Sequence, residues 1–426
     1  MKNAEKWDWT PGKKIVADLK KWHSDYEGVE EPYVSPDGEK IAAIVKTEEE
    51  SYTVCVNGTP WEKTFDKIWS LRFSPDNRAA ALVSDTAEWS VAVDGATWEN
   101  WFEFVWNMRF SKENGAIAVA AQNARSYFAV LDDTPWETGF PSMNNLTVSR
   151  SGETSAAVVQ TTALKEGDIN AFQKGCFSVA VNGIAWKSAF VNAWEIDINP
   201  DNRLVAVEVR HSLYDYTIAI NDEMWPSSFS AIWRPRFNPV DNSVTAPVKT
   251  AGGWCLAKDG ELFWERRYSQ LWHHFYSTDG KSIAAVAAPT FGKWTIAEND
   301  TPWDLTFNEL VMDAVYSPDN RRIACVGKTD GKWYVALDGK AWPTPFDRAW
   351  PPVFSPGGEH VAAKVEIGGK YAIALNGKLL DIPLAAAWNP VFSPDGKKIM
   401  VKGIGTGKDE GKYCRHILET EPLPRT

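Results

Sequence analysis

Apolar and polar positions along this chain follow a repeating order of short runs. In the first unit an apolar run over 40–46 (KIAAIVK) is followed by an alternating run over 51–56 (SYTVCV), rich in β-branched and aromatic residues. Two further short runs occupy 61–66 and 69–73. No stretch carries a sustained period of 3.6 residues, and Gly, Asn, Asp and Pro separate the runs. The pattern predicts an all-β chain in which each unit contains four short strands.

The unit recurs about every 39 residues. Each unit contains a turn sequence of the type Ser-Pro-Asp-Gly, which we call the anchor. The ten copies of the anchor begin at Ser35, Ser74, Ser111, Ser149, Asn199, Asn238, Ser277, Ser317, Ser355 and Ser393. Between successive anchors lies a second motif that begins with Asn or Asp and ends with Trp, as in NGTPW from Asn57 to Trp61. Asn-Gly at this place predicts a two-residue hairpin, because a type I′ turn needs positive φ at both central positions.

Tryptophan is the unusual component of the composition, with 23 copies in 426 residues. Nineteen of the 23 fall into three columns of the repeat: the end of the hairpin motif, the position five residues before the hairpin Asn or Asp, and the position five residues before the anchor. Large flat rings suit the space between adjacent twisted sheets, so the register predicts a packing role for these columns. Trp7, Trp9, Trp22 and Trp101 lie outside the columns.

About forty residues per four-stranded unit is the spacing of β-propeller blades. The ten units predict a single β-propeller domain over 1–426 with about ten WD40-like blades, and two smaller propellers are the alternative. The last unit runs out after its third strand. Residues 13–19, within an N-terminal segment 1–33, are therefore predicted to supply the missing strand and close the fold. An insertion at 161–174 lengthens the fourth unit and predicts either a tolerated surface loop or a binding loop.

Net charge limits which kinds of partner the protein can bind, and the N-terminal sequence and the cysteines indicate where in the cell it is located. A formal net charge of −11 argues against a nucleic-acid partner. The N-terminus has no apolar signal segment and no run of 18 apolar residues occurs, which predicts a cytoplasmic protein without a membrane span. The five cysteines are scattered along the chain, which predicts buried, reduced thiols for most of them.

Motifs for catalysis or cofactor binding do not occur. CxxC, HExxH and GxSxG are absent, so we predict no catalytic residue, no metal site and no cofactor. The segment 403–409 (GIGTGKD) lacks the Gly spacing and the Ser or Thr of a phosphate loop, and we interpret it as a hairpin loop. His273 and His274 are consecutive in a predicted strand and should point to opposite faces instead of sharing a metal. The anchor aspartates, such as Asp37, recur too regularly to be catalytic and are predicted to cap turns. No single polar cluster that would form a ligand site is visible.

Residues outside the repeat register are the candidates for a partner interface. Aromatic residues and arginine are enriched at protein interfaces. For Trp7 and Trp9 the alternative is that they only attach the N-terminal segment to the propeller. The candidate interface residues are Trp7, Trp9, Trp22, Trp101, Arg266 and Arg267.

Two resemblances extend this interpretation. The anchors, followed by runs such as IAAIV, resemble the WD40-like repeats of TolB-type β-propellers. The motifs NGTPWEKTF (57–65), NDTPWDLTF (299–307) and DGKAWPTPF (338–346), together with the SPDG and SPDN anchors, resemble the tryptophan-rich TmcD subunits of the Tmc transmembrane electron-transfer complexes of sulfate-reducing bacteria. This second resemblance extends over essentially the whole chain.

The resemblance implies a non-catalytic cytoplasmic scaffold without a redox centre of its own, associated with the inner membrane through its partners. Such a subunit would dock on an iron–sulfur subunit, in a complex that also contains a haem b membrane subunit and a periplasmic multihaem cytochrome c. Two other functions stay open at this point. One is a stand-alone propeller that binds a small ligand or peptide at its central mouth, and the other is a propeller enzyme with one unique set of His, Asp, Glu and Tyr residues.

Overall fold

The computed structural model describes residues 4–47, 51–164 and 168–420. Within these ranges the strands form seven four-stranded antiparallel sheets, one five-stranded sheet from the first repeat, and one ten-stranded sheet that contains the last two repeats. The fold class predicted from the sequence is thereby confirmed, an all-β β-propeller of four-stranded blades. We number the blades 1–10 and the strands in chain order.

The chain divides into two compact units. The first comprises Met1–Thr64, Leu71–Phe73 and Phe275–Thr426, and the second comprises Phe65–Ser70 and Ser74–His274. A single domain over 1–426 stays a prediction, as does its alternative of two smaller propellers.

The strands of each blade follow one another along the chain, with the N-terminal strand as the exception. Blades 1–5 contain β2 Gly28–Val29, β3 Tyr33–Val34, β4 Ile41–Lys46, β5 Tyr52–Val56, β6 Thr59–Pro60; β7 Lys67–Phe73, β8 Ala79–Asp85, β9 Glu88–Val93, β10 Ala96–Thr97; β11 Phe104–Phe110, β12 Ile117–Asn123, β13 Ser126–Leu131, β14 Thr134–Pro135; β15 Ser142–Val148, β16 Ser155–Gln160, β17 Phe177–Val181, β18 Ile184–Ala185; and β19 Asn192–Ile198, β20 Val205–Arg210, β21 Tyr216–Ile220, β22 Glu223–Met224.

The remaining blades repeat the same order, and the helices are short. Blades 6–10 contain β23 Arg236–Phe237, β24 Val244–Thr250, β25 Gly253–Lys258, β26 Glu261–Leu262; β27 Gln270–Tyr276, β28 Ile283–Ala288, β29 Thr295–Glu298, β30 Thr301–Pro302; β31 Leu310–Tyr316, β32 Ile323–Thr329, β33 Lys332–Leu337, β34 Lys340–Ala341; β35 Arg348–Ala349, β36 Val353–Phe354, β37 Val361–Ile367, β38 Lys370–Leu375, β39 Lys378–Leu379; and β40 Leu384–Ala387, β41 Val391–Phe392, β42 Lys398–Gly405, β43 Lys412–Glu419 with β1 Gly12–Asp18. The helices are α1 Leu19–Asp25, α2 Ile169–Lys174 and the 3-10 turns Ala4–Lys6 and Gly407–Asp409.

The predicted hairpin sets the register of blades 1–9. Asn57 and Gly58 have φ of 51° and 89°, the left-handed values that a type I′ turn requires. The Asn57 side-chain oxygen accepts a hydrogen bond of 2.9 Å from the backbone N–H of Ile41, the first residue of β4. The turn residue therefore fixes both the turn and the start of the second strand. Eight further hairpins of the described chain repeat this bond, between Asp94 and Ala79, Asp132 and Ile117, Asn182 and Ser155, Asn221 and Val205, Asp259 and Val244, Asn299 and Ile283, Asp338 and Ile323, and Asn376 and Val361.

The anchor turn joins the first strand of a blade to the second. The buried Ser35 hydroxyl accepts a hydrogen bond from the backbone N–H of Lys40 at 2.9 Å and donates to the Asp37 carboxylate. Asp37 in turn accepts a bond of 3.0 Å from the N–H of Glu39. The anchor aspartate caps its turn here, as predicted, because its carboxylate supplies an acceptor to backbone groups that the turn leaves unpaired.

Hairpin tryptophans pack against the glycine of the next hairpin. A Cβ atom on Gly183 of blade 4 would lie 3.1 Å from Cβ of Trp136 in blade 3. In the same way, Trp342 of blade 8 packs against Gly377 of blade 9, where a Cβ atom would lie 3.5 Å from the indole Cγ. Glycine is needed at these turns both for its positive φ and for the space that the indole occupies.

First-strand and third-strand aromatics pair within one blade. Trp233 and Trp254 of blade 6 stack with ring centroids 5.3 Å apart and planes 10° apart. Trp106 and Tyr127 of blade 3 meet edge to face at 5.9 Å, and this pair packs against the core between blades 3 and 4. The predicted packing role of the aromatic columns thus includes contacts both within and between blades.

The N-terminal strand completes blade 10, as the sequence predicted. β1 pairs antiparallel with β43 from Gly12 opposite Ile417 to Asp18 opposite Lys412. Buried polar groups join this blade to blade 1. Lys402 Nζ donates to the carbonyl oxygens of Ser35 and Pro36 at 3.3 and 3.2 Å. The Tyr413 hydroxyl donates to the Gly38 carbonyl at 3.0 Å.

Three details differ from or add to the sequence prediction. Residues 61–66 do not form a continuous strand. The fourth strand of the first blade is only Thr59–Pro60, and the chain leaves the sheet at the hairpin residue Trp61. In the insertion 161–174, Ile169–Lys174 form an exposed helix that begins at Asp168, while residues 165–167 lie outside the described residues. All five cysteines are buried and unbridged, as predicted.

Deleting residues 1–20 removes β1 and exposes the edge of β43. We expect the melting temperature to fall by about 10 °C or more, because six paired residues and their packing are lost. Scanning calorimetry measures this. Lys14→Ala is the control, since it removes only an exposed ion pair with Glu39 and should cost less than about 1 kcal/mol. An unchanged melt of the deletion variant would show that β1 does not stabilise the fold.

Replacing one tryptophan from each of two columns tests which column stabilises the fold by internal packing. Trp342 is 8% exposed and Trp69 is 57% exposed. Trp342→Ala should lower the free energy of unfolding by roughly 3–5 kcal/mol because it leaves a cavity, and Trp69→Ala should cost less than about 2 kcal/mol. Urea unfolding followed by circular dichroism compares the two. Equal losses would contradict the distinction between the columns.

Candidate functional site

A cavity of about 450 Å³ lies in the second compact unit, at the first and second strands of three consecutive blades. Ligand pockets have volumes of about 300–1,000 Å³, so this one has room for a small molecule or a side chain of a partner. Blade 5 contributes Glu195 and Glu208, blade 6 contributes Trp233, Arg234, Arg236 and Pro247, and blade 7 contributes Trp272, His273 and His274.

Equivalent positions of the repeat bring these side chains together. Trp233 and Trp272 belong to the column five residues before the anchor, and Arg234 and His273 directly follow them. Glu195 is the corresponding residue of blade 5. The register of β19 with β20 shifts between Ala193 and Ile196, so a β-bulge places Glu195 there. In blade 7, His273 has a φ of 48°, which turns the chain at the same point.

Glu208 is the most unusual residue of the cavity. It is the fourth residue of β20, counted from Val205, whose backbone N–H bonds to the hairpin residue Asn221. Only 7% of Glu208 is exposed. Within the described residues it makes no hydrogen bond or ion pair. Burial, followed by the neighbouring Glu195 carboxylate, raises the pKa of Glu208 to about 8. At neutral pH the carboxyl group is therefore mostly protonated.

Both cavity arginines are already paired with carboxylates of β19. Arg234 lies 3.6 Å from Glu195, and Arg236 lies 3.2 Å from Asp197. Asp197 also accepts a hydrogen bond of 2.9 Å from the backbone N–H of Phe237. Burial raises the pKa of Asp197 and outweighs the nearby Arg236, which acts to lower it. Burial lowers the pKa of Arg234, with the charge of Arg236 as the second cause.

The two adjacent histidines have different environments. His274 is buried, its Nε2 atom lies 3.1 Å from the carbonyl oxygen of Thr245, and burial lowers its pKa to about 3. It is therefore a neutral structural residue at physiological pH. His273 is exposed at the cavity. This division agrees with the prediction that the two imidazoles point apart. In the described part of the chain no group of three or more His, Cys, Asp or Glu residues could hold a metal ion.

The sequence contained a signal for this cluster that the sequence analysis missed. The column of Glu208 is apolar in blades 1–4, 6, 7 and 8, where it holds Ile44, Leu82, Ala120, Val158, Pro247, Val286 and Val326. It is charged in blade 5, with Glu208, and in blades 9 and 10, with Lys364 and Lys402. A charged residue in an otherwise apolar buried column must find a partner or remain uncharged. Aligning the repeats on their anchors would have identified all three residues, since each lies nine residues after the first residue of its anchor.

The two lysines of this column have partners that Glu208 lacks. Lys402 donates to two carbonyl oxygens, and burial lowers its pKa to about 8. Lys364 Nζ lies 3.8 Å from the ring centroid of Trp350 and 5.6 Å from that of Tyr371. Trp350 also lines a second cavity of about 490 Å³, in the first compact unit, together with Asp313 and Lys328.

Three of the predicted interface residues pack onto the chain itself. Trp7 and Trp9 stack on each other and lie against Val391, Met400 and Ile417 of blade 10. This matches the alternative that they attach the N-terminal segment.

Trp22, on α1, is 2% exposed and lies in a core cluster with residues of blades 1 and 10. A Cβ on Gly58 would lie 3.5 Å from its indole nitrogen, so Trp22 occupies the position of a hairpin tryptophan. The shared structural position explains an aromatic residue that the sequence register could not place.

The other three predicted interface residues lie at the surface or near it. Trp101 is half-buried, and Arg266 and Arg267 are exposed. Arg267 donates to the carbonyl oxygens of Trp264 and Glu265 at 3.0 and 2.7 Å, so it stabilises its own loop. None of the six candidates lines the cavity on blades 5–7. A partner-interface role stays a prediction for all six.

Comparisons with known proteins reach only the level of the fold. No protein-family model matches the chain, and no curated protein matches its sequence. Among solved structures, one described as a eukaryotic initiation factor is similar at a TM-score of 0.48 and 13% identity, over 77% of this chain and 90% of that one. The Dos1 propeller is similar at a TM-score of 0.36 and 12% identity, over 86% of this chain and 94% of that one. The succession of antiparallel sheets, seven of them four-stranded, carries the fold assignment.

The helices of the described residues are too short and too polar to cross a bilayer.

Replacing Glu208 with glutamine should change the pH dependence of stability. The folded pKa of about 8 lies above the ordinary value of 4.5, so stability from the protonated group is present below pH 4.5 and is lost as pH rises through 8. The isosteric Glu208→Gln variant keeps that stability. We expect it to exceed the parent by roughly 2–4 kcal/mol at pH 9 and by little at pH 4.5.

Thermal melts between pH 4.5 and 9 measure this difference. Glu223→Gln is the matched control, since Glu223 lies in the same blade but is exposed. Parallel pH profiles for the parent and Glu208→Gln would contradict the raised pKa.

Proposed function

We propose that this protein is a non-catalytic interaction scaffold, a β-propeller whose cavity on blades 5–7 receives part of a binding partner. One observation carries the proposal. Glu208 places an ionisable, unpaired carboxyl group in a column that is apolar in most blades, and it does so at a cavity with two tryptophans in its wall. Ionisable groups whose pKa is strongly shifted by burial cluster at binding and functional sites.

Exposed aromatic residues support a role in recognition. Trp233 is 42% exposed although it stacks on Trp254, so one edge of the pair is available to a partner. Trp69 and Phe104, in blades 2 and 3, are more than half exposed. Aromatic side chains contribute large contact areas at little cost in conformational entropy and are enriched in interface hot spots.

We further propose that the partner is an iron–sulfur subunit of a membrane-associated electron-transfer complex. The support for this is the resemblance of the repeated Asn-Gly-Thr-Pro-Trp type motifs and the anchors to the tryptophan-rich TmcD subunits. The complex would also contain a haem b membrane subunit and a multihaem cytochrome c. In that setting the protein would be cytoplasmic and would reach the inner membrane through its partners.

An affinity pull-down in mild detergent from the native host tests the proposal. We expect iron–sulfur and cytochrome subunits to co-purify, seen by mass spectrometry and by a haem and iron spectrum. The double variant Glu208→Gln/Trp233→Ala should reduce their recovery about tenfold, because the cavity loses its carboxylate and one aromatic wall. Asp313→Asn, in the second cavity, should leave recovery unchanged.

Each result of this experiment has a separate meaning. A partner that carries no haem or iron, but is lost in the double variant, would retain the scaffold and remove the electron-transfer role. Full recovery with the double variant would remove the cavity from the interface. A colourless protein without partners would contradict the scaffold.

The second candidate function is a stand-alone binder of a small ligand or peptide. The size of the cavity and its mixture of aromatic and charged walls favour it. A ligand that binds the isolated protein and is lost in Glu208→Gln/Trp233→Ala, in the absence of any partner protein, would favour this candidate over the scaffold.

A further inference from the structure

We propose that the cavity on blades 5–7 binds a primary alkylammonium group, of the kind that a lysine side chain carries, with the charge against Glu208 and the methylenes against Trp233 and Trp272. The proposal deepens the binding function proposed above and rests on it. It names the chemistry of the group that the cavity takes.

The first step is the missing partner of Glu208. The Glu208 residue is 7% exposed, lines the cavity and has no hydrogen bond or ion pair in the described part of the chain. Buried carboxylates in proteins are normally paired with a cation or hydrogen-bonded, because isolating the charge from water is costly. The open side of Glu208 is the cavity, so a cation from outside can supply the pairing that the chain does not.

The second step is that the cavity disfavours an anion. Arg234 and Arg236, the groups that an anion would approach, lie 3.6 and 3.2 Å from the carboxylates of Glu195 and Asp197. An anionic ligand would therefore compete with two carboxylates of β19. A cation at Glu208 meets no such competition, because the neighbouring charge that acts on Glu208 is the negative charge of Glu195.

Other charged and titratable groups around the cavity do not alter this balance. Arg109 of blade 3 acts on Arg234 and lowers its pKa only as the last of several causes. His274 is neutral at physiological pH because burial lowers its pKa to about 3. His273 faces the cavity from blade 7. On β21, which pairs with the strand of Glu208, the residue opposite is the apolar Ile218.

The third step is that this fold already places ammonium groups over its tryptophans. Lys364 Nζ lies 3.8 Å from the centroid of Trp350, Lys249 Nζ lies 5.4 Å from that of Trp254, and Lys328 Nζ lies 5.8 Å from that of Trp333. Cation–π attraction of this kind strengthens when the site is shielded from water. Lys364 occupies in blade 9 the column that Glu208 occupies in blade 5. Blade 9 therefore provides an internal ammonium, whereas blade 5 provides the carboxylate for an external one.

Isothermal titration calorimetry on the full-length protein tests the inference with two probes. The probes are n-butylammonium and Nα-acetyl-lysine N-methylamide, and both stay charged below about pH 10. Binding requires ionised Glu208, whose pKa is raised by burial to about 8. We therefore expect affinity to rise about tenfold or more from pH 6.5 to pH 8.5, with release of a proton at the lower pH.

Variants assign the binding to the cavity. Glu208→Gln should weaken both probes at least about tenfold at pH 8.5 and abolish the pH dependence, because the amide carries no charge. Trp233→Ala should also weaken binding, and circular dichroism checks that it is folded. Asp313→Asn, at the second cavity, should bind like the parent.

The outcomes separate this inference from the function on which it rests. Equal binding of n-butanol or of the Nε-acetylated lysine probe would overturn the cation but keep the cavity as a binding site. Failure of both ammonium probes at pH 8.5 would overturn the inference, while the pull-down would still decide the scaffold. Binding of the lysine probe alone would identify a partner's lysine side chain as the source, and binding of both probes would include free alkylammonium compounds.

Discussion

One side-chain hydrogen bond sets the geometry on which the other features of blades 1–9 depend. The Asn or Asp that opens each hairpin accepts the backbone N–H of the first residue of the second strand, at 2.9 Å between Asn57 and Ile41. The same residue has the positive φ that the turn needs. A single residue thereby fixes the turn, the register of two strands and the position of the tryptophan that follows. Losing the bond would leave both the turn and the strand start unspecified, which explains why Asn and Asp alone fill this column.

The fixed register makes the few charged residues in the buried second strands informative. Such a position is surrounded by the sheets on both sides, so a charge there has to be paired or neutralised. Lys402 reaches the carbonyl oxygens of the first anchor turn, and Lys364 lies on the face of Trp350. Glu208 has neither kind of partner and instead meets a cavity. The two lysines have partners within the fold, whereas Glu208 lines a cavity.

The two ends of the chain meet in the same region of the first compact unit. β1 completes the sheet of β43, and Trp22 takes the place of a hairpin tryptophan beside Gly58. Arg415 is 2% exposed, and its Nε donates to the Asp37 carbonyl at 3.0 Å. Blade 10 thus depends on the first twenty residues for its fourth strand. Because the pairing joins distant parts of the chain, it carries a cost in loop-closure entropy that a local hairpin does not.

The sequence alone determined the strands, the hairpins and the completion of blade 10, because each follows from local chemistry. Asn-Gly specifies a turn wherever it occurs, and an apolar run of buried length specifies a strand. It also determined the three tryptophan columns. It did not determine that Trp22, on α1, takes the place of a hairpin tryptophan beside Gly58. Only the tertiary structure decided that Glu195, Glu208, Arg234 and His273 share one cavity. These residues lie in three different repeats, and their convergence depends on bulges and on the approach of neighbouring blades, which no local pattern encodes.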